Sequence, residues 1–130
     1  MLFTQTAATT STSLPVVVAQ RSFIGETTNI PPTTIFTPTS KGLFRVTVDL
    51  EQSNTDAGTY APAVFLSWTG DFASYQTQMV IGPNYQSGSA AAGSDAITVR
   101  DAANAPVQIS TTLNPNEEGT YNLYVVIEKL

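Results

Sequence analysis

Residues 43–51, Leu-Phe-Arg-Val-Thr-Val-Asp-Leu-Glu, alternate without a break. In an extended chain Phe44, Val46, Val48 and Leu50 point one way, and Arg45, Thr47, Asp49 and Glu51 the other. A period of two cannot keep one face on a helix, so this is a strand with one dry and one wet side. The stretch 120–130, TYNLYVVIEKL, repeats the pattern, with Tyr121, Leu123, Val125 and Ile127 set against Asn122, Tyr124, Val126 and Glu128. Its second side is itself partly apolar, which places it centrally in a sheet.

Strand patterns continue along the chain. YAPAVFLSW sets Tyr60, Pro62, Val64, Leu66 and Trp68 on one side, and Pro62, lacking a ladder donor, puts the start of this strand at an edge. SYQTQMVI sets Tyr75, Thr77, Met79 and Ile81 against Gln76, Gln78 and Val80. Shorter candidates are PVVVAQ, SFIG, TTIFTP, AITVR and VQISTT. The breaks SNTDAGT, TGD, IGPNYQSGS and NPNEEG carry the Asn, Asp, Gly and Pro of turns. ITVRDAANAPVQIS reads as a hairpin with a longer loop, and SGSAAAGSDA, without an amphipathic stripe, as a loop with at most one helical turn. The expected fold is all-β: an antiparallel β-sandwich of about eight mostly hairpin-linked strands, with the jelly roll as a specific form of it.

At 130 residues the chain is the size of one domain and can bury roughly two-thirds of its unfolded surface. It has no cysteine and no histidine, which removes disulfides, thiolate chemistry, the usual general base and the commonest transition-metal ligand. Only 12% of residues are charged while 42% are hydrophobic, so the polar surface must be mostly Thr, Ser, Asn and Gln. The net charge is −5, and Arg21, Lys41, Arg45, Arg100 and Lys129 do not cluster, which argues against nucleic acid as a partner. No run approaches the ~18 apolar residues of a membrane span, and the N-terminus lacks the basic region of a signal peptide. The expectation is a complete, soluble chain made in a cytoplasm, compatible with later assembly into an extracellular particle.

The first charged side chain is Arg21, and residues 1–13 are rich in Thr, Ser and Ala without helical spacing. Such a segment is either a frayed tail or an arm ordered by pairing with another chain. We divide the chain into an extended N-terminal arm, residues 1–19, and a sandwich domain, residues 20–130. Leu14, Val16, Val17 and Val18 are the candidate partner-binding residues, because a β-branched run favours pairing as a strand. Pro31 and Pro32 cannot donate to a ladder, so the ribbon they begin belongs at a sheet edge or between two sheets.

Tests for chemistry return little. Asp49 and Glu51 share a wet strand face and Glu117 and Glu118 a turn, neither being the opposed pair, one acid in an apolar setting, that glycoside hydrolysis needs. Asp49, Glu51, Asn54 and Asp56, or Asn114, Asn116 and Glu117, could hold calcium, but without a defined loop spacing. Trp68, Phe72, Tyr75 and Tyr85 could form a sugar-stacking platform, although Trp68 continues the apolar side of its strand and reads first as core. No G-x-S-x-G and no glycine-rich phosphate loop is present. The expectation is no enzyme, no cofactor, no catalytic residue and no metal site.

Taken in order, NIPPTTIFTPTSKGLFRVTVDLE, VFLSWTG, AITVRDAANAPVQIS and GTYNLYVVIEKL resemble small β-sandwich virion proteins of tailed phages and prophages. The resemblance covers residues 30–130 and rests on the proline-threonine approach to a Gly-Leu-Phe-Arg strand and on the closing Tyr-Asn-Leu-Tyr-Val-Val strand. It implies a non-enzymatic structural component of the virion, a capsid decoration (cement) protein or head-fibre base. Its partners would be the major capsid protein or other virion subunits, and it would be a homo-oligomer, with a trimer favoured. A carbohydrate-binding β-sandwich module for surface or host attachment is the alternative.

Overall fold

The computed structural model describes residues 14–52, 62–81, 91–113 and 120–130. They form eight strands: β1 (Val16–Glu26), β2 (Thr33–Phe36), β3 (Gly42–Gln52), β4 (Ala63–Thr69), β5 (Ser74–Met79), β6 (Ala91–Asp101), β7 (Val107–Thr112) and β8 (Tyr121–Lys129). Two four-stranded antiparallel sheets result, in the orders β1-β8-β3-β6 and β2-β7-β4-β5. Chain neighbours mostly lie in opposite sheets while sheet neighbours are far apart in sequence, which is the jelly-roll form of the sandwich.

The alternation expected of β3 and β8 is what closes the sandwich. Phe44, Val46, Val48, Leu50, Leu123, Val125 and Ile127 are buried, and they meet Val64, Leu66, Val107 and Ile109 from the facing sheet. Phe36 and Phe44 meet ring to ring at 5.5 Å, tilted by 58°. Trp68, expected in the core, is half-buried and packs against its margin.

Several local expectations give way to longer-range pairing. The hairpin read into residues 97–110 does not exist: β6 pairs with β3 and β7 with β4 and β2, in different sheets. The link between β6 and β7 instead turns through Asn104, at φ 61°, and is tied by the Asn104 amide donating to the Pro38 carbonyl at 2.7 Å. Among the described strands, only β4 and β5 are consecutive in sequence and pair with each other. Residues 91–96, read as loop, are strand, because they complete the ladder opposite residues 47–52 of β3. The Pro62 strand, β4, is interior to its sheet, with Pro62 just before it. PVVVAQ and SFIG are parts of one strand, broken by register shifts after Val17 and after Phe23. Gly25, at φ 65°, sits in the second shift, in the left-handed region that a side chain disfavours. The boundary drawn between residues 19 and 20 therefore falls inside β1, whose Val16 and Val17 pair with Lys129 and Glu128 of the same chain. Residues 1–13 lie outside the described residues.

The proline ribbon does bridge the two sheets, from β1 to β2, and a buried polar cluster fixes it. Tyr121 donates its hydroxyl to the Thr28 carbonyl at 2.6 Å and meets the Thr111 hydroxyl at 2.8 Å. The Ile30 amide donates to Thr111 Oγ1 at 2.8 Å, and the Thr111 amide to the Ile30 carbonyl at 2.9 Å. Because these groups are buried, removing one partner strands the others. Tyr121→Phe should cost roughly 1–3 kcal/mol, and Leu123→Ala roughly 2–5 kcal/mol, both read as urea-midpoint shifts at unchanged slope.

Candidate functional site

The antiparallel pairings bring a defined set of strand ends to one end of the sandwich. β1, β3, β5 and β7 begin there, and β2, β4, β6 and β8 finish there. Nine large hydrophobic side chains are exposed among the described residues, and seven of them lie at this end: Leu14, Val16, Val17, Leu43, Phe72, Tyr75 and Leu130. Phe72, in the turn between β4 and β5, is 94% exposed and Leu14 is 81% exposed. The other two, Ile24 and Val80, belong to opposite strand ends.

Topology, not sequence proximity, assembles the group. Val16 lies across from Lys129, which lies across from Phe44. The Leu130 amide donates to the Leu43 carbonyl at 3.1 Å, and Leu43 faces Arg100 in the β3–β6 ladder. Arg100 reaches the β4–β5 turn through an ion pair with Asp71 at 3.1 Å. Trp68 and Tyr75 stack there at 5.6 Å with 27° between ring planes, beside Phe72. A Cβ on Gly70 would stand 3.0 Å from the Tyr75 ring, so the bare glycine lets that ring lie close over the turn.

Asp101 fastens this end from within. Its side chain is wholly buried; Oδ1 accepts the Thr69 amide at 3.2 Å while the Ala102 amide donates to the Thr69 carbonyl at 2.8 Å. Oδ2 has no partner among the described residues. Burial pushes the Asp101 carboxyl above the ordinary aspartate range, against the opposing pull of the Thr69 and Ala102 amides.

Of the residues singled out in the sequence, Leu14, Val16 and Val17 stand exposed at this end, whereas Val18 turns partly into the core. Trp68, Phe72 and Tyr75 do come together; Tyr85 lies outside the described residues. Asp49 and Glu51 face outward on β3, and Asn54, Asp56, Asn114, Asn116, Glu117 and Glu118 lie outside the described residues. Leu43 and Leu130 were missed, although Leu43 carries a signal as an apolar residue in phase with Arg45 and Thr47 on the wet side of β3.

No family model and no curated protein matches the chain. Solved structures do. The globular domain of zebrafish complement 1qA protein matches with a TM-score of 0.57 at 14% identity, over 89% of this chain and 96% of that one. The structure of Eiger TNF from S. frugiperda matches with a TM-score of 0.40 at 11% identity, over 86% of this chain and 92% of that one. The first likeness is one of fold: the jelly roll is shared across nearly the whole length of both chains.

The raised Asp101 pKa makes folding stability depend on pH. Because its folded pKa is raised, the folded state holds more protons than the unfolded state between the two values. Its contribution is therefore a loss of stability as pH rises from the ordinary aspartate range through the folded pKa. Asp101→Asn keeps an oxygen for the Thr69 amide and should flatten that part of the stability–pH curve, measured by urea unfolding across mildly acidic pH.

Proposed function

We propose that this chain is a non-enzymatic structural component of a virion, a capsid decoration protein or head-fibre base, held to other virion subunits by its apolar end. The observation that carries the reading is the gathering at one end of the sandwich of seven of the nine large hydrophobics exposed among the described residues. Exposed apolar side chains scattered singly need no partner, but a rimmed cluster at one end does. Phe72 and Tyr75 are aromatic anchors of the kind that dominate interface energetics, and the Arg100–Asp71 pair supplies a polar rim. The sequence resemblance to small phage β-sandwich proteins names the class of partner, the major capsid protein or a neighbouring virion subunit. A homo-oligomer, with a trimer favoured, fits the same role, because symmetric assembly adds stability by mass action.

Quantitative mass spectrometry of purified particles tests the role: the chain should be present at a stoichiometry set by the lattice. Phe72→Asp combined with Leu43→Asp alters two exposed side chains, so the variant should fold and melt as the parent does. Its occupancy on particles should fall by about tenfold or more, the effect of losing at least ~1.4 kcal/mol at an anchor. A chain absent from particles overturns the role, and full occupancy by the double variant overturns the surface.

A further inference from the structure

The strands β2, β4, β5 and β7 contain no charged residue, so every charged side chain of the described strands belongs to the other sheet. The outer face of this uncharged sheet is built of hydroxyls and amides around a single ring. Phe65 lies between Gln78 of β5 and Ser110 of β7, and Ser67 pairs with Gln76. The β1–β2 crossover runs along the β7 side and turns the face into a groove. Asn29, Pro31 and Pro32 line it together with Phe65, Gln76 and Ser110.

Some polar groups of the groove have no partner among the described residues, although the Thr111 hydroxyl is bonded to the Ile30 amide and to Tyr121. Gln76 and Ser110 make no side-chain hydrogen bond to any described residue. Asn29 uses its carbonyl oxygen to accept the Leu113 amide at 2.7 Å, which leaves its NH₂ group. The groove thus offers donors and acceptors together, apolar surfaces from a ring and two prolines, and, among the described residues, no formal charge.

That combination selects among ligands by exclusion. A phosphate or sulfate needs a cationic partner and a metal ion needs carboxylates, and these strands hold neither. An added peptide strand needs a free sheet edge, and the groove lies on a face. A wholly apolar partner would bury the Gln76 amide and Ser110 hydroxyl unpaired, which disfavours it. A pyranose matches, because its hydroxyls both donate and accept while its C–H face lies flat on a ring. We infer that the groove between the 29–32 crossover and the outer face of the β2-β7-β4-β5 sheet binds a neutral oligosaccharide, with Phe65 beneath a sugar ring and Gln76, Ser110 and Asn29 on its hydroxyls. This site is separate from the apolar end and does not depend on the role proposed for it.

The test is amide NMR of the full chain, titrated to millimolar with neutral oligosaccharides derived from amylose, cellulose, mannan and chitin. At least one should give saturable shifts confined to residues 29–32, 65, 76 and 110. Gln76→Ala with Ser110→Ala should weaken that binding by about tenfold, the loss of two modest hydrogen bonds, while leaving the fold's spectrum in place. The inference is overturned by a panel without saturable shifts, by shifts centred on Trp68, Phe72 and Tyr75, or by a sulfated analogue binding as tightly as the neutral one.

Discussion

Two sheets with no disulfide between them are held face to face by a single layer of interdigitated side chains, and everything else in this protein depends on that layer. β3 and β8, adjacent in one sheet, supply Phe44, Val46, Val48, Leu50, Leu123, Val125 and Ile127 to it, and the facing sheet answers with Val64, Leu66, Val107 and Ile109. Polar ties sit at opposite ends of the slab. The Tyr121–Thr111 cluster anchors the crossover at one end, and Asp101 joins the β6 and β4 termini at the other. Each binds backbone groups that burial would otherwise leave unpaired, so they give register where the apolar layer gives cohesion.

With cohesion supplied from inside, the outer surfaces are free to differ. One sheet carries charge on its strands, including the Arg45–Glu128 pair at 3.0 Å. The other presents only neutral side chains from its strands. The end where Leu14 and Leu130 emerge is apolar. A chain with a net charge of −5 thus keeps one face where approach meets no formal charge from the strands.

Sequence alone revealed the layers better than their connections. The alternation in β3 and β8 was legible because each has one wholly dry side, and a slip by one residue would put that side into water. Which strands pair was not legible, since period-two patterns carry no address. Residues 97–110 therefore looked like a hairpin although Asp101 and Val107 lie in different sheets. Residues 91–96 were misread because Ala-Ala-Gly-Ser-Asp-Ala has little strand propensity of its own, and pairing with β3 overrides it. The apolar end was half legible. Leu14, Val16 and Val17 stood out as a run and Phe72 and Tyr75 as aromatics, but Leu43 and Leu130 joined them only through the β3–β8 ladder. The uncharged sheet was written plainly in four short segments, yet it had no meaning as a face until the topology set them side by side.

The place of β8 governs the order in which this molecule can be made. It is the last of the eight strands in sequence, yet it lies between β1 and β3, which are among the first. A ribosome releasing this chain exposes β1 and β3 long before the strand that separates them exists. The charged sheet cannot assume its final order during synthesis, and its early strands must wait with apolar sides uncovered. Folding is thereby postponed until Tyr121–Lys129 has cleared the exit tunnel, and a high-contact-order closure of this kind is slow. The same arrangement makes the native state hard to unravel from one end, because pulling β8 free means breaking two ladders at once.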